Sequence, residues 1–151
     1  MWTYEGIKRD LLNEGYDVHH DSALRKLSFI VIPEGRMPYE CYTHFSPNDQ
    51  RVMVQLFHNF PGIVLSAIFE KDRALYRRLE DICESKTEEA NNIIVFGVGF
   101  TKDNERFYIY AVTDQNYVKE QYKDKIYSFA FFKEILILMM TIHEAISNQK
   151  I

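Results

Sequence analysis

Two cysteines, four prolines and six glycines among 151 residues leave this chain poor in the residues that staple or interrupt a fold. Cys41 and Cys83 sit in unrelated contexts, so they read as two small buried hydrophobes of a reducing compartment rather than as a disulfide framework. Neither a bridge nor a metal is needed at this length, because a domain of about 150 residues buries roughly two-thirds of the surface its unfolded chain exposes. An excess of positive charge is also missing. With 18 basic against 22 acidic residues the net charge is −4, which gives no general attraction to nucleic acid or anionic lipid. The opening MWTYEGIKRDLL carries Glu5, Lys8, Arg9 and Asp10 and so lacks the apolar region of a secretory leader. The most apolar segment, FFKEILILMMTIHEAI (131–146), is charge-free only from Ile135 to Ile142, far short of the ~20 residues of a membrane span. These absences set the expectation of a cytoplasmic protein with neither nucleic acid nor membrane as partner.

What the chain has in quantity is aromatic residues, 15% of the total, with 11 Phe and 10 Tyr. Such a composition favours β-structure and half-wet surfaces. Tyr4, Ile7, Leu11 and Leu12 are spaced for a helix over 3–14 that Gly15 ends. LRKLSFIVIPEG (24–35) turns β-like and stops at Pro33 to Gly35. YECYTHF (39–45) and RVMVQLFHNF (51–60), joined by SPND, predict a hairpin in which Val52, Val54 and Leu56 share the better core face. After Pro61-Gly62 and an ambiguous stretch to residue 72, Leu75, Leu79, Ile82 and Cys83 mark a second helix that Asp72 caps. NIIVFGVGF (92–100) and RFYIYAV (106–112) make a second hairpin, residues 114–126 a polar loop with a helical turn, and Ser128 opens a final helix. The order α-β-β-β-α-β-β-α, without repeat or linker, predicts a single α+β domain: an antiparallel sheet with helices packed on it.

No spacing of a known catalytic or metal motif appears. His19-His20-Asp21 alternates direction in an extended segment, so it reads as a polar turn rather than a ligand set. His44 and His58 lie on the first hairpin, but the turn at 46–49 pairs His44 with residues near 51–53. His143 and Glu144 read as a solvated helix face with no nucleophile nearby. The GVG of residues 97–99 sits within an apolar strand and precedes no helix, so close packing of a helix over the strand explains it better than phosphate binding. Basic residues such as Arg77, Arg78, Lys119 and Lys123 are interleaved with acids, and Glu88-Glu89 lies in a polar loop. The expectation is a protein that is not an enzyme and needs no cofactor.

An apolar surplus is left over. If Ile93, Val95, Phe107, Ile109 and Ala111 face one side of the sheet, then Ile94, Phe96, Val98, Tyr108, Tyr110 and Val112 face the other; helices of the same chain can cover one side, and the other needs either a helix of its own or a partner. Tyr42, Phe57, Tyr108 and Tyr110 therefore form a candidate partner-binding surface. Residues 135–140 of the final helix point apolar side chains in every direction, which makes Leu138 and Met139 further candidates. That helix is wedged within the monomer or lies at a homodimer interface, and both readings stand.

The order of elements, with LLNEGYDV leading into the first strand, LYRRLEDIC before the second hairpin, NIIVFGVGFTKDNERFYIYAV and the closing helix, resembles the YbjN-like proteins and the class I type III secretion chaperones. The resemblance implies a non-enzymatic protein-binding role, usually as a homodimer that holds a partly unfolded client segment along its surface. Two other readings compete. One is an inhibitor or immunity-type protein that blocks a basic partner with Glu80, Asp81, Glu84, Glu88 and Glu89. The other is a small-molecule or nucleotide sensor, or a hydrolase, in which His44, His58 or His143 converges with carboxylates.

Overall fold

Thr3 opens the first helix: its side-chain oxygen accepts the Gly6 N–H at 3.0 Å, and α1 (Tyr4–Asn13) follows. Gly15 closes it at φ 91°, while the Tyr16 N–H returns to the Leu11 carbonyl. The computed structural model describes residues 1–34 and 37–147, with the backbone alone at 58–61, 125 and 147. The chain continues through β1 (His19–Asp21), β2 (Lys26–Val31), β3 (Tyr39–Phe45), β4 (Arg51–Pro61), α2 (Gly62–Lys71), α3 (Arg73–Glu89), β5 (Val95–Phe100), β6 (Arg106–Asp114), α4 (Glu120–Ile126) and α5 (Phe129–Ser147). The described residues thus form one antiparallel sheet in the order β1-β2-β3-β4-β6-β5, with the helices packed on it.

Three elements lie outside the predicted order. His19–Asp21 is not a polar turn but an edge strand paired with Lys26–Ser28; all three residues are exposed, so no alternation of burial announces it. Residues 62–71 form α2, whose Ile63 and Val64 stay exposed while Leu65 and Phe69 enter the core. Part of the polar loop forms α4. Asp72 caps α3 as predicted, accepting the Leu75 N–H at 3.0 Å, and the helix runs on through Glu88 and Glu89, which are therefore helical and not in a loop. Of the predicted stop after β2, Pro33 lies beyond the strand and Gly35 lies outside the described residues.

Period-two alternation divides the sheet cleanly. Leu27, Phe29, Cys41, Phe45, Val52, Val54, Leu56, Phe107, Ile109 and Ala111 are buried on one face. In β5 the phase is one residue off the expected one: Phe96 pairs with Ala111 and Val98 with Ile109 on this buried face, whereas Val95 is exposed on the other. Helices cover the buried face: Tyr4 of α1 meets Phe45, Phe69 of α2 meets Phe107, and α5 lies across β4 and β6.

α5 buries Phe132, Ile135, Leu136, Met139, Ile142, His143 and Ile146, a single stripe at three- and four-residue spacing, while Glu134, Ile137 and Thr141 face outward. Met139 is 0% exposed, so it belongs to the core and not to a partner surface, and half-buried Leu138 packs against the same core. α3 of the same chain lies beside α5. His143 is not solvated either: it is 0% exposed, with Nε2–H donating to the Leu56 carbonyl at 2.8 Å and its ring against Tyr39.

Gln115 ties the ends of these elements together. Its buried amide accepts the Trp2 N–H at 2.7 Å and donates to the Trp2 and Asp49 carbonyls at 2.8 and 2.6 Å. Trp2 in turn donates its indole N–H to the Ser128 carbonyl at 2.7 Å and packs among Tyr127, Phe131 and Phe132. Replacement of Gln115 by Ala strands a buried N–H and two carbonyls, which should cost about 3 kcal/mol in urea unfolding. A loss below roughly 1 kcal/mol would show the knot to be dispensable.

Candidate interaction face

The face of the sheet opposite the helices is built by the other half of the alternation. Its centre is an aromatic row across three strands: Tyr42 of β3 meets Phe57 of β4 at 5.3 Å and 83°, Phe57 meets Tyr108 of β6 at 5.3 Å, and Tyr108 meets Tyr110 at 6.4 Å. Register explains the contacts, since Phe57 pairs directly with Tyr108 and Gln55, next to Tyr42, pairs with Tyr110. Four of the six residues read from the sequence as partner-binding thus form one patch. Leu138 and Met139 lie on the far side of the sheet and do not join it.

Two residues that the sequence reading left out complete the patch. The Arg106 guanidinium lies 4.1 Å from the Phe57 ring centre and is ion-paired with Glu40, which is the register partner of Phe57. Phe57 is only 6% exposed, and among the described residues Tyr42, Tyr108 and Arg106 pack on its ring. The half-exposed ion pair contributes about 0–1 kcal/mol, against roughly 0.5–1.5 kcal/mol for each aromatic contact, so its main effect is to hold Arg106 over the ring. The signal for Arg106 is its place two residues before Tyr108, which puts it on the same face of β6. Lys26 adds a second cation over Tyr42 at 5.3 Å, and His44 is bonded to Gln55 at 2.8 Å on this face.

Gly97 and Gly99 explain how the tyrosines lie. Gly97 pairs with Tyr110 and Gly99 with Tyr108, and a Cβ at either glycine would overlap the tip of its partner's ring. The glycines therefore do not admit a helix, as the sequence suggested; they admit two tyrosine rings on the open face. The glycines thus leave room for both rings to lie flat along β5.

The competing chemistries find less support in the geometry. His44 lies on the open face and His143 in the core on the opposite side, and the side chain of His58 lies outside the described residues, so the described histidines do not converge. No group of three metal-ligating side chains occurs among the described residues, and no helix among them is long and apolar enough to cross a membrane. The acidic side chains of Glu80, Asp81, Glu84, Glu88 and Glu89 are exposed on α3, with Lys86 3.3 Å from Glu89. Both thiols are buried. Burial, with a smaller contribution from Glu80, pushes Cys83 up to about 12; burial also raises Cys41. No family model, curated protein or solved structure matches the chain.

Two outcomes check this description. Gly97→Val should drive the Tyr110 ring off the strand, seen as a changed ring environment by NMR, at a cost of roughly 1–3 kcal/mol. An unmoved ring would refute the glycine's role. Ellman's reagent in mildly alkaline buffer should label neither cysteine in the folded protein and both after denaturation, since thiolate is the reactive form.

Proposed function

We propose that the protein is a non-enzymatic binding module that engages another protein through the open face of its sheet, in the manner of a chaperone. The observation that carries this reading is an aromatic row on the one face that the helices leave uncovered, with Tyr108 and Tyr110 laid over glycines. Tyrosine suits such a site because its ring supplies contact area at little cost in rotamer freedom while its hydroxyl tolerates water. Arg106 extends the same chemistry, since Tyr and Arg are enriched where binding energy concentrates. An ordinary solvated sheet face would alternate polar residues outward; here Met53 and Val112 join the three tyrosines instead, and each is half-buried.

Affinity capture with the full chain as bait, followed by mass spectrometry, tests the reading when wild type is run beside the Tyr108→Ser, Tyr110→Ser double variant. The variant should keep its circular dichroism and lose the partner that wild type recovers. Equal recovery by both, or a partner displaced by modest salt and insensitive to the tyrosines, would move the site to the acidic surface of α3.

A further inference from the structure

The two edges of the sheet are finished differently. At β5, α3 runs alongside and Thr87 Oγ1 accepts the Phe96 N–H at 3.0 Å. At the other end β1 covers only part of its neighbour: its register stops at His19 opposite Ser28, whereas β2 stays paired with β3 as far as Val31 opposite Tyr39. From Phe29 onward, no strand among the described residues lies on the outer side of β2.

Alternation gives the direction of the backbone there. The Arg25 carbonyl accepts the Phe45 N–H on the β3 side, so Lys26, Ser28 and Ile30 turn their N–H and C=O groups toward the β1 side, and Ile32 is next in phase. Proteins blunt bare edges with polar and charged side chains, and the exposed His19, His20 and Asp21 stand along the first part. Beyond them stand Ile30 and Ile32, 45% and 70% exposed. The chain's own preceding segment turns away, because Gly15 at φ 91° sends Tyr16 against Phe29 from the covered face, ring centres 5.3 Å apart. Between that segment and β2 lies a concavity of about 560 Å³, lined among others by Gly15, Tyr16, Asp17, Ser28, Ile30 and Ile32.

We infer that this notch binds an extended peptide segment of a partner protein, which continues the line of β1 and pairs with the backbone of Ile30 and Ile32. The inference rests on the protein-binding reading and adds a second point of contact and the conformation of what occupies it. An edge that offers an N–H and a C=O at every second residue recognises backbone, so the occupant is a strand rather than a helix. Its side chains alternate between the open face, beside Ile30 and Ser28, and the Tyr16–Phe29 side, so apolar residues fit at both. The Asp17 carboxylate on the wall, 96% exposed and 3.9 Å from the His19 ring, favours a Lys or Arg at the occupant's flank.

Panning a phage-displayed library of random linear peptides on the immobilised full chain tests this. Enriched sequences should lack Pro, be rich in β-branched residues and carry a basic residue. The best of them, made synthetically, should lose roughly tenfold or more in affinity when N-methylated at residues of one alternate set and change little when methylated at the other. Ile30→Pro, which removes an N–H on the open side without touching the β3 ladder, should weaken the same peptide comparably. Absence of enrichment, or binding indifferent to N-methylation, would overturn the notch. The Tyr108→Ser, Tyr110→Ser variant separates the two proposals: loss of the captured partner with peptide binding intact keeps both, whereas peptide binding lost with the tyrosines and not with Ile30→Pro places the peptide on the open face.

Discussion

The register that holds β4 between β3 and β6 is the constraint on which the rest of the structure depends. It sends Val52, Val54 and Leu56 under the helices and Met53, Gln55 and Phe57 to the open side. A slip of one residue would exchange the two sets and place a glutamine amide beneath α5. Two of the helix contacts follow from that choice: the Leu56 carbonyl is where His143 bonds, and Phe107 is where Phe69 rests. The regular register ends after Phe57, with Pro61 next opposite Arg106, so the strand pair is irregular just beyond the ring that Arg106 covers.

Much of this was legible in the chain. The hairpins were readable because their strands alternate strongly and their turns carry SPND and TKDNE; the helix ends were readable where Asp72 stands at an N-cap and Gly15 just past the end of the first helix. The candidate face was legible for the same reason, since Tyr42, Tyr108 and Tyr110 sit out of phase with the buried residues of their own strands. What failed to show were features that alternation does not encode. β1 is too short and too exposed to carry a pattern, and α2 is apolar on several sides and begins at a proline–glycine pair. The phase of β5 was misread because IIVF presents apolar residues at both parities, so only pairing with β6 decides it. Met139 was misassigned for a related cause: an apolar helix shows its buried stripe only once its neighbours are known.

The aromatic residues fall on both sides of the sheet. Phe29, Phe45, Phe69, Phe107 and Phe132 fill the core together with Tyr4, Tyr39 and Tyr127, whereas Tyr42, Tyr108 and Tyr110 stand beside Phe57 among the described residues of the open face. Arg106 and two tyrosines remove Phe57 from water. The half-exposed Arg106–Glu40 pair adds little to folding on its own and leaves a cation at the surface beside the rings.

Trp2 gives the molecule an optical property of its own. It is the chain's one tryptophan, 3% exposed and enclosed by Tyr127, Phe131 and Phe132 at the knot of Gln115, on the other side of the sheet from Tyr42, Tyr108 and Tyr110. Its emission therefore reports whether the first residues are docked and the domain is closed. A ligand that touches only the open face leaves that emission where it is, whereas one that loosens the fold exposes the indole and shifts it to the red.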